Sequence, residues 1–295
     1  MKPIFSIILP TYNRGYILDR TIQSVINQTF KNWELIIVDD GSTDNTRDSI
    51  NDFLIQDNRI NYFYQENAER SAARNNGISK ANGKFICFLD SDDQYDEYHL
   101  QSLFEAINSS GEDLYIFITG SKIVNTSGCL LAVSTVLPSE NDAESILLNT
   151  ITPGPMCIPL PLSRKHLFNE NIRISEDTEL LFRLVSDAPL RVLNQTTLLY
   201  VHHEDNSVNP FRYNAYLERK KTLKFIFGQP IGKGVSASLK RKVLSDCYFG
   251  IAKFHSANNH VWMVRWNMLK ALILFPKTRW KEKLYLILHP QKAIQ

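Results

Sequence analysis

No stretch of this 295-residue chain approaches the ~18 consecutive apolar residues of a membrane-spanning helix, so no integral segment is expected. Cysteine is scarce. Cys87, Cys129, Cys157 and Cys247 stand far apart, without the paired spacing of a metal site. Reduced thiols in a cytoplasmic protein are the economical reading, with Cys87 a small core residue inside an apolar run. A first β-strand is expected at the start in place of a signal peptide: Lys2 and a short apolar run give way to Pro10-Thr11-Tyr12-Asn13-Arg14 with no small-residue cleavage pattern. No G-x-G-x-x-G follows the first apolar run, which argues against an ordinary dinucleotide fold, and there is no Walker A. Acid is nearly absent from one end. Residues 211–295 carry 17 Lys+Arg against 3 Asp+Glu, whereas residues 1–210 carry 16 against 28. A division of −12 and +14 predicts two functional regions, the second facing something anionic.

What is present alternates. Apolar runs at 5–9, 35–38, 60–64 and 85–89 read as strands, and the stretches between them carry helical spacing at 17–28, 45–54 and 70–80. Repeated βα units of this length predict a parallel sheet with right-handed crossovers. Further strands are expected at 113–120, 130–136 and 190–201, and helices at 141–149 and 177–186. Pro153, Pro155, Pro159 and Pro161 predict an ordered loop over 152–161, with no regular helix. From about 212 the pattern turns helical and basic.

The strand ends carry the chemistry. Phe85-Ile86-Cys87-Phe88-Leu89 stops abruptly at Asp90-Ser91-Asp92-Asp93, and an earlier strand stops at Asp39-Asp40. Ligands of open α/β sheets collect outside the carboxyl ends of such strands. Paired carboxylates there suit a hard divalent cation, and they also suit a solvated acidic turn that caps the next helix. A diphosphate beside bare carboxylates is repelled unless a metal or an arginine such as Arg74 neutralises it.

Five motifs in order and spacing then resemble one family. They are Ser6-Ile7-Ile8-Leu9-Pro10-Thr11-Tyr12-Asn13-Arg14 with Ser24-Val25-Ile26-Asn27-Gln28-Thr29-Phe30; Glu34-Leu35-Ile36-Ile37-Val38-Asp39-Asp40-Gly41-Ser42-Thr43-Asp44; Ala73-Arg74-Asn75-Asn76-Gly77; and Phe88-Leu89-Asp90-Ser91-Asp92-Asp93. Together they resemble the family 2 inverting glycosyltransferases with the GT-A fold, over roughly residues 4–100. A weaker likeness continues through Ser175-Glu176-Asp177 and residues 200–207. The resemblance implies an α/β fold: a Rossmann-like mixed, mainly parallel sheet flanked by helices. A GT-A catalytic domain would span 1–210, with its nucleotide part at 1–120 and its acceptor part at 121–210. A basic helical region would fill 211–295.

The resemblance also implies roles. Pro10, Thr11 and Asn13 would flank the base of a nucleotide-sugar. Asp40 would accept the N3–H of uracil or thymine, supported by Asp39. Arg74, Asp90 and Ser91 would hold the nucleotide, ribose or sugar. Asp92 would bind Mn²⁺ or Mg²⁺ at the diphosphate, with His203 favoured over His202 as a further ligand. Asp177 would be the general base, its pKa lowered by a helix N-terminus. One departure stands out: the Gly that often precedes Ala-Arg-Asn is absent, and Arg70 competes with Arg74. The donor would be a UDP- or dTDP-sugar and the acceptor a glycan or lipid-linked hydroxyl. A nucleotidyltransferase and a non-catalytic nucleotide-sugar or carbohydrate-binding protein are the rivals.

Basic clusters in the tail (Arg219-Lys220-Lys221, Lys240-Arg241-Lys242) are interleaved with Trp262, Trp266 and Trp280. This pattern fits an anionic membrane surface, and it also fits a helical subdomain packed on the catalytic domain. No nucleic-acid-binding module is recognisable, so nucleic acid is not an expected partner. The expected location is cytoplasmic, peripheral on the inner face of the membrane.

Overall fold

The computed structural model describes residues 2–111, 114–134, 146–147, 153–202 and 213–290. Four short apolar segments build its first half: β1 (Phe5–Thr11), β2 (Trp33–Asp39), β3 (Ile60–Tyr64) and β4 (Phe85–Phe88). They run parallel in the order β3-β2-β1-β4. Every residue of β1 is buried, as expected for a strand covered on both faces. Alternation sorts its side chains. Ile8 joins Ile36, Val38, Ile86 and Phe88 in one core, on the side of helix α4 (Glu69–Lys80). Phe5, Ile7 and Leu9 join Leu35 and Ile37 in the other, with apolar residues of α1 (Leu18–Ile26) and α5 (His99–Asn108). Helix α4 packs close because Gly77 has no side chain: a Cβ there would lie 2.5 Å from Ile8 Cγ2.

Past β4 the sheet turns mixed. Strand β8 (Met156–Pro159) runs antiparallel between β4 and β6 (Ile116–Asn125), followed by β9 (Leu190–His202) and β5 (Gln94–Tyr95). Strand β7 (Leu130–Ser134) pairs with β6 as a hairpin. The proline-rich segment therefore departs from expectation, since β8 is followed by helix α6 (Leu160–Lys165). Pro161 lies in the first helical turn, where its missing N–H leaves no intrahelical bond unmade. Cys87 and Cys157 face each other across β4 and β8 as free, buried thiols. Burial pushes the Cys157 thiol well up, so it is an inert core group.

The helix expected over 45–54 is broken into α2 (Thr46–Ser49) and α3 (Asn51–Gln56). The helix expected over 141–149 lies outside the described residues except for 146–147. Helix α7 (Glu176–Leu184) matches expectation. The basic region forms α8 (Tyr213–Gly228), α9 (Ala237–Ala257), α10 (Val261–Leu274) and α11 (Trp280–Leu288). Leu223, Ile226, Leu239, Val243 and Cys247 share the core of the sheet, so α8 and the first half of α9 pack on the sheet.

Candidate active site

Register brings the strand ends together. Thr11 pairs with Asp39 across β1 and β2. The Asp40 N–H donates to the Thr11 carbonyl (2.9 Å) and the Leu89 N–H to the Ile8 carbonyl (3.0 Å). A cavity of about 480 Å³ opens there, lined by Pro10, Thr11, Asp40, Arg74, Asp90, Ser91 and Asp92. Seven of the expected site residues thus meet in one place. Tyr12, Arg14, Asn67, Glu69, Arg70 and Ala73 complete the lining.

Each wall has an identifiable support. Thr11 Oγ1 is buried with no hydrogen-bond partner, so the cavity holds a polar atom that a bound ligand would satisfy. Asp40 accepts from Gln65 Nε2 (2.7 Å) and the Ala68 N–H (2.9 Å), both at Oδ1. Asp39 and Asn13 are absent from the lining and are occupied elsewhere. Asp39 accepts from the Ser42 N–H (2.8 Å) and the Tyr62 hydroxyl (2.7 Å). Asn13 Oδ1 accepts from the Thr43 N–H (2.8 Å), tying the end of β1 to the turn after β2. Ser91 contributes its carbonyl to the Thr21 hydroxyl (3.0 Å), which anchors the acidic turn on α1.

Arg74 is the centre of the charge network. Its guanidinium is 2% exposed and bonds Asp90 at 2.7 Å and Glu176 at 3.0 Å. Burial alone would raise the Asp90 carboxyl, but the charge and hydrogen bond of Arg74 hold it below the usual range. Arg70 approaches Glu176 at 3.8 Å and is 36% exposed. It therefore presents more surface to the cavity than Arg74 does. Arg14 stands 3.8 Å from Asp92. Asp93 is buried and accepts from the Val201 N–H at 3.0 Å, pinning the end of β9 to the acidic turn. Burial first, then Asp92 and Asp90, push its carboxyl well up.

Asp177 corrects one expectation. Its pKa is not lowered but pushed up to about 7, by burial and then by the neighbouring Glu176 charge. The Thr178 N–H (2.6 Å) and Arg74 oppose the shift without cancelling it. Desolvation outweighs the helix terminus here. Asp177 does not itself line the cavity; it is adjacent in the chain to Glu176, which Arg74 ties to Asp90. Two residues near these contacts carry left-handed backbone, Glu69 (φ 72°) and Ser175 (φ 63°), the kind of strain that gathers at functional sites. His202 ends β9 and is exposed, and His203 lies outside the described residues.

Sequence reasoning named Glu176 only as the neighbour of Asp177 in the Ser175-Glu176-Asp177 pattern and gave it no role of its own. Its partner Arg74 is 102 residues away, and no local pattern reports that contact.

The family model described as Glycosyl transferase family 2 matches residues 6–156, half of the chain. This chain belongs to glycosyl transferase family 2. Among the family's relatives, TuaG of Bacillus subtilis, named for teichuronic acid biosynthesis, is 32% identical over 60% of this chain and 69% of its own length. A Campylobacter jejuni GalNAc(5)-diNAcBac-PP-undecaprenol beta-1,3-glucosyltransferase is 33% identical over 48% of this chain and 45% of its own. The chain spans only 31% of an uncharacterized Rickettsia bellii glycosyltransferase and 39% of Streptococcus pneumoniae GlyG. Among solved structures, Staphylococcus aureus TarS 1–349 superposes with a TM-score of 0.64 at 18% identity, over 99% of this chain and 88% of that one. The fold is therefore the GT-A type of this family. No described helix is long and apolar enough to cross a membrane.

Proposed function

We propose that this family 2 chain is an inverting transferase that moves a sugar from a UDP- or dTDP-sugar to a hydroxyl of a glycan or lipid-linked acceptor. The observation that carries the reading is the Arg74 bridge, which joins the donor-side Asp90 to the segment bearing Asp177. TarS has been solved with UDP and with UDP-GlcNAc, which supports a nucleotide-sugar donor. The names of TuaG and the Campylobacter enzyme support a setting in cell-surface glycan assembly.

In this reading the acceptor hydroxyl gives its proton to the Asp177 carboxylate as its oxygen bonds the anomeric carbon. The carbon–oxygen bond to the diphosphate breaks, and the electron pair leaves with the nucleotide. A single in-line displacement inverts the centre. Arg70, on the cavity wall, faces the departing charge. Asp40 takes the pyrimidine N3–H, at the turn where β2 ends. Among the described residues no group of three metal-ligating side chains gathers. Mg²⁺ and Mn²⁺ sites at nucleotides commonly use one or two carboxylates plus phosphate oxygens, so Asp92 fits that donor set. The ion would supply charge neutralisation at the diphosphate. The basic, aromatic-bearing helices support a peripheral contact with an anionic membrane surface.

The test is Asp177→Asn. Donor binding should stay within about twofold while transfer falls about 10²–10⁴-fold; an unchanged transfer rate, or no transfer by the parent, would sink the enzyme reading. A screen of UDP-, dTDP- and GDP-sugars adds a second check, because a GDP-only result contradicts the role given to Asp40.

A further inference from the structure

Four cations converge on a second cavity, of about 380 Å³, in the helical region. Arg219 comes from α8, Lys242 and Lys253 from α9, and Arg279 from the turn that opens α11. Tyr216 joins the wall, and Asp246 is the one carboxylate among its described residues. Arg219, Lys242 and Lys253 are half-buried. None of the four forms an ion pair in the described structure. The Arg279 guanidinium lies 5.1 Å from the Phe249 ring centroid, held by stacking and not by an acid.

Such a cluster is not a solvated charged face. Lysines on an open helix diverge into water and are screened within a Debye length. These groups come from three separate segments and line one space, where the partial burial of Arg219, Lys242 and Lys253 strengthens the mutual repulsion. An anion relieves it. The volume lies in the range of small-molecule sites, and hard, multiply acceptor-bearing phosphate suits guanidinium and ammonium donors together.

The neighbouring helices indicate where the phosphate comes from. In α10, Trp262 (80% exposed), Trp266, Leu269 and Ile273 (72%) lie at spacings of four, three and four, one helical stripe. The opposite side of α10 buries Val264, Met268 and Ala271. In α11, Trp280, Leu284, Tyr285 and Leu288 are likewise exposed, and Trp280 directly follows Arg279. With Arg279 in the cavity and Trp280 next to it in the chain, convergent cations and exposed apolar stripes supply the two kinds of contact an anionic bilayer surface offers, phosphate and apolar.

We propose that the Arg219–Lys242–Lys253–Arg279 cavity seats the phosphate headgroup of an anionic phospholipid while the α10 and α11 stripes enter the interface. This rests on the membrane contact in the proposed function, and it adds a defined headgroup site to what would otherwise be diffuse attraction.

The experiment is flotation of the full chain with phosphatidylcholine vesicles, with and without phosphatidylglycerol. Three forms are compared: the parent, Arg219→Gln/Lys242→Gln/Lys253→Gln, and a charge-matched control, Lys224→Gln/Arg241→Gln/Lys277→Gln, at exposed positions outside the cavity. Arg279 is spared because its φ of 49° makes a replacement ambiguous. The parent should bind only the phosphatidylglycerol vesicles, and the cavity variant should lose at least about tenfold more affinity than the control. Donor binding measured in parallel should be equal in all three, showing that the variants fold. Equal losses in the two variants would mean diffuse surface charge and overturn the headgroup site while leaving membrane contact intact. No flotation by the parent would remove the membrane contact itself. Should inorganic pyrophosphate raise the melting temperature of the parent but not of the cavity variant, without flotation, the ligand is a soluble phosphate and the lipid assignment falls.

Discussion

Asp177, the base of the proposed mechanism, sets stability against chemistry. Its folded pKa of about 7 lies above the ordinary 3.8 because burial and the Glu176 charge disfavour the carboxylate. Between those values the folded chain holds a proton that the unfolded chain has released. Stability from this group is therefore full below the unfolded pKa and is lost as pH rises through about 7. In the proposed mechanism the working form is the ionised carboxylate, which dominates only above about pH 7, where that stability has been lost. Two outcomes follow from one titration. Transfer rates should rise with pH along a limb centred near about 7. Asp177→Asn, which cannot ionise, should melt above the parent at about pH 8, by about 2–4 °C for each kcal/mol relieved, with the gap closing by about pH 4. Thermal melts at both pH values check this; identical curves would place Asp177 in a more polar setting than the structure gives it. That Asp177 stands at the start of a helix was legible in the sequence. Its pKa was not, because the burial and the Arg74–Glu176–Asp90 arrangement that govern it are contacts between distant segments.

At the scale of elements, the turn after β2 shows how one backbone position outside the lining can shape the cavity wall. Gly41 adopts φ 84°, and a Cβ there would come 2.8 Å from the Asn67 N and 3.1 Å from Asn67 Cβ. Asn67 and Asp40 both line the cavity, so any side chain at 41 must push one wall against the other. Gly41→Ala should weaken donor binding about tenfold and cost about 1–3 kcal/mol of stability. Calorimetric titration with UDP and a denaturant melt measure the two effects, and unchanged UDP affinity would detach this turn from the proposed donor site. Most elements of this half were readable from the sequence because each is a short apolar run closed by polar residues. Strand β8 was not, since its prolines argued for a loop and only the flanking β4 and β6 supply its partners. Lys283 was hidden for the opposite reason. A lysine reads as surface, yet it is buried and donates to Ser245 Oγ (2.9 Å) and the Phe275 carbonyl (2.7 Å), closing the end of α10.

For the whole molecule, the division of charge near residue 210 predicts two regions, but the apolar cores divide elsewhere. Leu223, Ile226, Leu239, Val243 and Cys247 belong to the large core that contains Ile8 and Phe88. A separate small cluster of Phe249, Ala252, Val264, Met268, Ala271 and Leu286 holds the rest of α9 to α10 and α11. Charge patterning reports what the surface faces, whereas cooperativity follows buried apolar contacts, and the two need not share a boundary. Helix α9 crosses from one core to the other, with Cys247 and Phe249 on either side of the change. Opening α10 and α11 exposes only the small cluster, so it requires less free energy than opening α8. In hydrogen exchange of the full chain, amides of 261–288 should exchange at least about tenfold faster than those of 215–227, with the change falling within α9. Anionic vesicles that engage the tail would slow the first group and leave the second unaltered. Uniform exchange across both groups would instead mean that the small cluster unfolds only with the sheet, and that the helical tail is a rigid extension of it.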